Sequence, residues 1–260
     1  MTALPLVVSD LRVAIRGTEL LRGVSFALAP GDRLGLIGGS GSGKTLTALA
    51  IAGLLPDGAE TSGSIRLGER ELIGASDRDL SEIRGDLIGM VFQEPRTALN
   101  PVRRLGRQMT EALAQHYDLD RSERRDAALR LARRVGLDDP ERIVRAYPHE
   151  VSGGQRQRAA IAAALSAGPG LLLADEPTTA LDVTVQRGIL ELFRAVTADD
   201  ACSLVFITHD LAVLAAVADR VVVLDDGLVV EHGPVDRILT APEHRVTRAL
   251  IEALPEGSRA

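Results

Sequence analysis

The stretch "GGSGSGKT", residues 38–45, decides how this chain is read. It fills the pattern G-x-x-x-x-G-K-[ST]. "DRLGLIGG" runs into it as a strand, and "KTLTALAIAGLL" leaves it with helical spacing and no breaker until Gly53. Glycines let such a loop turn its backbone N–H groups inward around phosphate oxygens. The helix beginning near Lys44 adds its positive N-terminal end. The expected cradle is Gly38, Gly39, Ser40, Gly41, Ser42, Gly43 and Lys44, with Thr45 placing a hydroxyl on Mg²⁺ and Thr47 counted in the same site. A purely structural glycine-rich turn is the competing reading, and the complete motif between strand and helix outweighs it.

Composition adds a second signal at this spot. Lysine and arginine total 30, yet Lys44 is the only lysine. A phosphate cradle needs a compact point charge on a slim stem. The planar guanidinium fork is bulkier and would not thread the loop to sit between phosphate oxygens.

With 260 residues the chain can bury a sizeable core. Hydrophobic content of 45% and charged content of 25% are those of an ordinary globular protein. A net charge of −6 gives no reason to expect nucleic acid as a partner. Cys202, the single cysteine, can form neither an internal disulfide nor a cysteine metal cluster, and its strand-like context favours a buried apolar role. The first residues meet Asp10 and Arg12 too early for a secretory signal, and no apolar run approaches the ~20 residues of a membrane helix. The chain is therefore expected to be cytoplasmic, with any membrane part supplied by another chain.

"PLVVSDLRVAI", "LLRGVSFALAPG", "SGSIRLGEREL" and "DLIGMVFQ" read as strands, the last stopping at Gln93. From about Thr97 to Pro148 the chain turns arginine-rich with helical periodicity, as in "RSERRDAALRLARRVGL", and is taken as a helical insert. "GQRQRAAIAAALSAG", "TVQRGILELFRAVTA" and "LAVLAAVA" read as helices; "LLLADEP" and "CSLVFITHD" read as strands. "RVVVLDDGLVVEHG" reads as a hairpin turning at Asp226-Gly227. Strands alternating with helices indicate a mainly parallel α/β sheet.

"LLLADE", residues 171–176, is an apolar strand ending in two acids. At the strand's C-terminal edge Asp175 would help hold Mg²⁺, and Glu176 could act as a general base on water. In "VSGGQRQR", residues 151–158, Ser152 is a natural N-cap, and Gly153 and Gly154 leave backbone N–H groups open. That makes a second anion site, and the simplest use for it is the nucleotide of a partner subunit.

"GGSGSGKT", "VSGGQRQR" and "LLLADEP", in this order, resemble the nucleotide-binding subunit of ABC transporters over roughly residues 5–254. The resemblance implies a P-loop NTPase fold with a RecA-like α/β core, an antiparallel β subdomain and a helical insert. It implies one domain over 1–255, with the core at 1–93 and 155–255, a helical subdomain at 94–154 and a tail at 256–260. ATP and Mg²⁺ are the implied ligands. Gln93 matches the Q-loop glutamine that contacts Mg²⁺, Asp182 in "TALD" the D-loop, and His209 in "FITHD" the switch histidine at the γ-phosphate. Ser152, Gly153, Gly154 and Gln155 match the signature that closes over ATP on the opposite subunit, a homologous ATPase in a hetero- or homodimer.

"FQEPRTALNP", "AYPHEVSGGQRQR" and "GPVDRILTAPEHRVTRAL" are similar to the dipeptide, oligopeptide and nickel importers. Such systems add two membrane-spanning permease subunits and an extracytoplasmic substrate-binding protein, which places the ATPase on the cytoplasmic face of the membrane. The short tail leans slightly toward nickel-type members or members whose substrate is uncharacterised. Gly39 stands where the branch has glutamate, Val151 replaces leucine, and the adenine-stacking aromatic should fall near Ile15, where none lies. Two alternatives stay open: a non-transport ATPase of the same fold acting in DNA repair or chromosome work, and a small-molecule P-loop kinase. The first usually carries long inserts not seen here, and the second leaves "VSGGQ" without a purpose.

Overall fold

The computed structural model describes residues 3–93, 98–179, 181–198 and 202–254. Two sheets organise them. The first is antiparallel, in the order β2-β1-β4-β5, from β1 (Leu6–Ile15), β2 (Thr18–Leu28), β4 (Ala59–Leu67) and β5 (Arg70–Glu71). The strands β1 and β2 are the two opening apolar stretches, joined by the turn at Arg16-Gly17. The second sheet has the order β10-β9-β3-β8-β7-β6, built from β3 (Arg33–Gly38), β6 (Ile88–Val91), β7 (Leu171–Asp175), β8 (Ser203–Ile207), β9 (Arg220–Asp225) and β10 (Leu228–Pro234). Its pairs are parallel except the β9–β10 hairpin.

The central strands are apolar throughout because both faces are covered. Leu171, Leu173, Val205 and Ile207 point to one side, into a core shared with β1 and with α1 (Lys44–Ala52). Leu172, Ala174, Leu204 and Phe206 alternate to the other side and meet the helices α7 (Gly153–Ala164) and α8 (Val183–Val196). There Phe206 packs edge-on against Phe193, with ring centroids 5.4 Å apart. Cys202 sits in the same core, and burial pushes its thiol up to about 11, so the cysteine is apolar filling.

Among its described residues the arginine-rich stretch carries the helices α3 (Leu105–Met109), α4 (Glu111–His116), α5 (Arg121–Arg134) and α6 (Pro140–Ile143). A capping box starts α5: Asp120 accepts from the Glu123 amide, and Glu123 accepts from the Asp120 amide. Arg133 and Arg134 complement the dipole at its end. Leu105, Met109, Leu131 and Ile143 turn inward and join the insert to α7. A helix α2 (Asp77–Ile83) follows the first sheet; α9 (Leu211–Ala215), α10 (Val235–Thr240) and α11 (Arg245–Glu252) flank the hairpin.

Several elements are shorter than the sequence suggests, β6 and α9 among them. The strand expected to reach Gln93 ends at Val91, because its last pairing with β7 is Val91 to Ala174. The helix expected over 211–218 stops at Ala215, where the Ala216 amide donates to the Ala212 and Val213 carbonyls and the Val217 amide to that of Leu214. Of the segments quoted for the importer branch, residues 94–97 of "FQEPRTALNP" lie outside the described residues, as do Ala180 of "TALD" and the expected tail 256–260. No helix among the described residues is long and apolar enough to cross a membrane.

Candidate active site

The parallel strands deliver their C-terminal ends to one edge, where α/β folds bind ligands. Strand β3 ends at Gly38, β7 at Asp175 and β8 at Ile207, while β6 ends two residues before Gln93. Strand order therefore gathers the phosphate loop, the acid pair, His209 and Gln93 from four places in the sequence.

Lys44 opens α1 and is 7% exposed. Its ammonium Nζ donates to the carbonyls of Gly38 at 2.9 Å and Gly39 at 2.8 Å. Gly43 precedes it at φ +103°, in the left-handed region, where a Cβ would also meet Leu21 Cδ2 at 2.4 Å. The hairpin braces the loop from outside: the Gly227 amide donates to the Ser42 carbonyl at 3.2 Å. Gly39 has no such demand, since a Cβ there would meet nothing within 4 Å. Thr47 is fully buried, and its hydroxyl donates to the Gly43 carbonyl at 2.9 Å, so it stiffens the loop from beneath.

Thr45 Oγ1 donates to Asp175 Oδ1 at 3.2 Å, joining the loop to the end of β7. Burial lowers the Lys44 pKa, against the attraction of Glu176 and Asp175. Burial likewise raises the Asp175 carboxyl above the usual range; Glu176 adds to this, while Thr45 and Lys44 oppose it. Each group is thus charged at a cost that a ligand of opposite sign would offset. Ser42 Oγ is buried with no hydrogen-bond partner, a spare polar atom inside the cradle. A triphosphate over Lys44 with a divalent cation at Thr45 and Asp175 fits this donor set.

Glu176 is fixed from three sides. Its Oε1 lies 3.2 Å from His209 Nδ1, and its Oε2 accepts from Gln93 Nε2 at 3.3 Å and from Thr179 Oγ1 at 2.9 Å. Its amide donates to the Ile207 carbonyl at 2.9 Å, and its backbone is left-handed at φ +44°. A non-glycine residue held in that region is strained, and such strain concentrates at functional sites. Thr179 is a participant the sequence reading missed; a hydroxyl three residues past an acid is too common a spacing to announce itself.

The signature residues lie apart from this cluster. Ser152 caps α7, accepting from the Gln155 amide at 3.2 Å, and Gln155 Oε1 accepts from the Ser152 amide at 3.1 Å. Among the described residues none of Ser152, Gly153, Gly154 and Gln155 hydrogen-bonds to the phosphate loop. Asp182 caps α8 through the Val185 amide at 3.0 Å. The two glycines differ in purpose. A Cβ on Gly154 would meet Val185 Cγ1 at 2.7 Å, whereas one on Gly153 would meet nothing within 4 Å. So Gly154 is required for α7 to approach α8, and only Gly153 is free to face a ligand. Gly154→Ala is expected to cost about 1–3 kcal/mol in urea denaturation through overpacking. Gly153→Ala should leave stability within about 0.5 kcal/mol, as an exposed helix-end change does. Ile15 ends β1 opposite Thr18 and Ala59, half-buried against the first core.

A phosphate loop, an acid pair and a histidine gathered at the ends of adjacent parallel strands are the arrangement of a P-loop nucleotide hydrolase. The ABC transporter family model matches residues 21–179, more than half the chain. The oligopeptide transport ATP-binding protein OppD of Bacillus subtilis (strain 168) is 44% identical over 254 residues, covering 95% of this chain and 71% of that protein. AppD of the same organism, also an oligopeptide transport ATP-binding protein, is 45% identical over 235 residues, covering 90% and 72%. Among solved structures, the dimeric post-hydrolysis state of the ATP-binding cassette MJ0796, bound to ADP and Pi, superposes with a TM-score of 0.79 at 29% identity, covering 88% of this chain and 98% of that one. The chain belongs to the ABC transporter family, and its fold is that of the family's ATP-hydrolysing cassette. The non-transport and kinase alternatives are not favoured by these relatives.

Proposed function

We propose that this chain binds and hydrolyses Mg²⁺-ATP as the nucleotide-binding subunit of an importer for peptides or a related small solute. The observation that carries the reading is the Glu176 carboxylate, held by His209, Gln93 and Thr179 at the sheet edge beside Lys44. Lys44 and the loop amides bind the phosphates. Thr45, Asp175 and Gln93 would hold the cation, which neutralises phosphate charge when bound. Glu176 takes the proton of the attacking water, and His209 orients the carboxylate. Sequence relatives move the substrate reading toward peptides and away from the nickel-type lean of the short tail.

Ser152, Gly153 and Gln155 serve the nucleotide of a second, homologous ATPase subunit. Val183, beside Asp182, is 80% exposed, an apolar side chain placed where that partner would cover it. An apolar groove next to Gln93, lined by Leu54, Met90, Phe92, Leu99, Ala112 and Ala160, is the surface on which a membrane-spanning permease subunit would seat. Two such subunits and an extracytoplasmic binding protein complete the assembly, with this chain peripheral on the cytoplasmic face of the membrane. Affinity purification from membranes tests this. Recovery with a second ATPase and two multi-span proteins is expected; recovery with DNA instead would contradict the transport reading.

Ile15 supplies no aromatic face for adenine, and stacking on such a face is worth about 1–3 kcal/mol per base. The ATP and GTP affinities are therefore expected to lie close together, and Ile15→Tyr should separate them in favour of ATP. A strong ATP preference in the unaltered chain would refute the assignment.

A further inference from the structure

Helix α5 sorts its charges by face. Arg121, Arg124 and Arg125 share one face with Ala128 at i, i+3, i+4 and i+7, while Glu123 and Asp126 fall on the opposite face. Opposite the arginine face stand Arg104 and Arg107 of α3 and its N-cap, and Arg145 just past α6. These six arginines line one cavity of about 860 Å³. Three other arginines of the insert are paired, Arg103 with Glu111 at 2.6 Å, Arg133 with Glu141 at 2.9 Å and Arg142 with Asp139 at 3.5 Å, while Arg130 and Arg134 line a different hollow. None of the six in the cavity forms an ion pair among the described residues. The acids at the start of α5 cap the helix, Asp120 accepting from the amides of Ser122 and Glu123 and Glu123 from that of Asp120, and neither forms an ion pair with these arginines among the described residues.

The wall of the cavity is also pre-set. Arg124 is half-buried; its Nε donates to Thr110 Oγ1 and its Nη2 to the Arg107 carbonyl, both at 2.9 Å. Thr110 is fully buried and donates to the Gly106 carbonyl at 2.9 Å. Arg104 lies over the Tyr147 ring, 5.8 Å from its centroid. Six arginines with no ion pair among the described residues line one hollow in a chain of net charge −6, and a multivalent anion there would relieve their mutual repulsion. Guanidinium forks pair bidentately with phosphate oxygens.

We propose that this cavity binds a free, compact polyanion carrying two or more phosphate groups. Its volume is that of a small-molecule site, roughly 300–1,000 Å³ in general. Its walls come from three segments and form an open, concave surface lined mainly by exposed arginines, a shape that suits a compact ligand better than a flat lipid surface. The site is separate from the phosphate loop and goes beyond the nucleotide reading. It also lies across α3 from the apolar groove: Gln108 lines the groove, Gly106 and Arg107 the cavity.

The test is titration of the 260-residue chain with sodium tripolyphosphate, followed by calorimetry. A Lys44→Ala background weakens the phosphate loop equally in every sample. Saturable binding that weakens as salt rises is expected, and Arg121→Glu with Arg125→Glu should weaken it by at least about tenfold. Arg121→Ala with Arg125→Ala should give a smaller loss in the same direction, and decides the matter if the charge-reversed variant melts early. Absence of saturable binding, or binding indifferent to both variant pairs, overturns the proposal. So does a response seen only as lost co-sedimentation with phosphatidylglycerol vesicles, which would assign the arginines to lipid. Charge-dependent binding of polyglutamate without tripolyphosphate binding overturns it in favour of an acidic protein segment.

Discussion

Glu176→Gln is expected to cut steady-state ATP turnover by about a hundredfold or more while changing ATP affinity less than about threefold. The two side chains have the same length and shape, so glutamine can still accept from Gln93 and Thr179, which donate to Glu176 Oε2 at 3.3 and 2.9 Å. It can also occupy the same left-handed backbone, φ +44°. What it cannot do is take a proton from water. Positioned proton transfer contributes roughly 10²–10⁴-fold, so the loss should fall within that range. Phosphate release and equilibrium nucleotide binding measure the two quantities separately. Turnover within tenfold of the unaltered chain would remove Glu176 from the role of base and leave the His209–Glu176 contact as a structural tie.

Lys44→Arg keeps the charge and should still lose most ATPase activity. Lys44 fills its space: it is 7% exposed, with Nζ 2.9 and 2.8 Å from two loop carbonyls. A guanidinium is planar and wider, and overpacking a filled site costs about 1–3 kcal/mol. Displacing the head from the phosphate position adds to this, so turnover should drop by at least roughly tenfold. Near-normal turnover would show that the loop accommodates the fork. The preference for lysine at this one position would then need another cause, in a chain that otherwise uses arginine for every basic residue.

Much of this site was legible in the sequence, because the chemistry sits in contiguous motifs. The phosphate loop, the acid pair ending β7 and the capping serine of α7 are each local patterns whose spacing carries their geometry. The hairpin at Asp226-Gly227 was equally local. What was not legible is long-range. Gln93 and Glu176 are 83 residues apart, and only the parallel pairing of β6 with β7 brings them to 3.3 Å. The placement of β3 between β8 and β9 depends on crossovers that no local pattern encodes. The unlike purposes of Gly153 and Gly154 depend on Val185 of another helix. The end of β6 at Val91 was set by its neighbour's pairing rather than by its own apolar run. The arginines of the insert read as a solvated face, and only the fold shows which of them converge.

The central claim is that ATP joins two such subunits, each completing the other's site through Ser152 and its neighbours. Sedimentation velocity of the Glu176→Gln variant, with and without Mg²⁺-ATP, tests it most directly, using this chain alone and then mixed with any co-purified sister ATPase. A monomer is expected without nucleotide and a dimer with it, the dimer abolished by Ser152→Arg while the monomer's ATP affinity is retained. A species that stays monomeric at saturating ATP in both settings, or a Ser152→Arg monomer that loses its own ATP affinity, would contradict it.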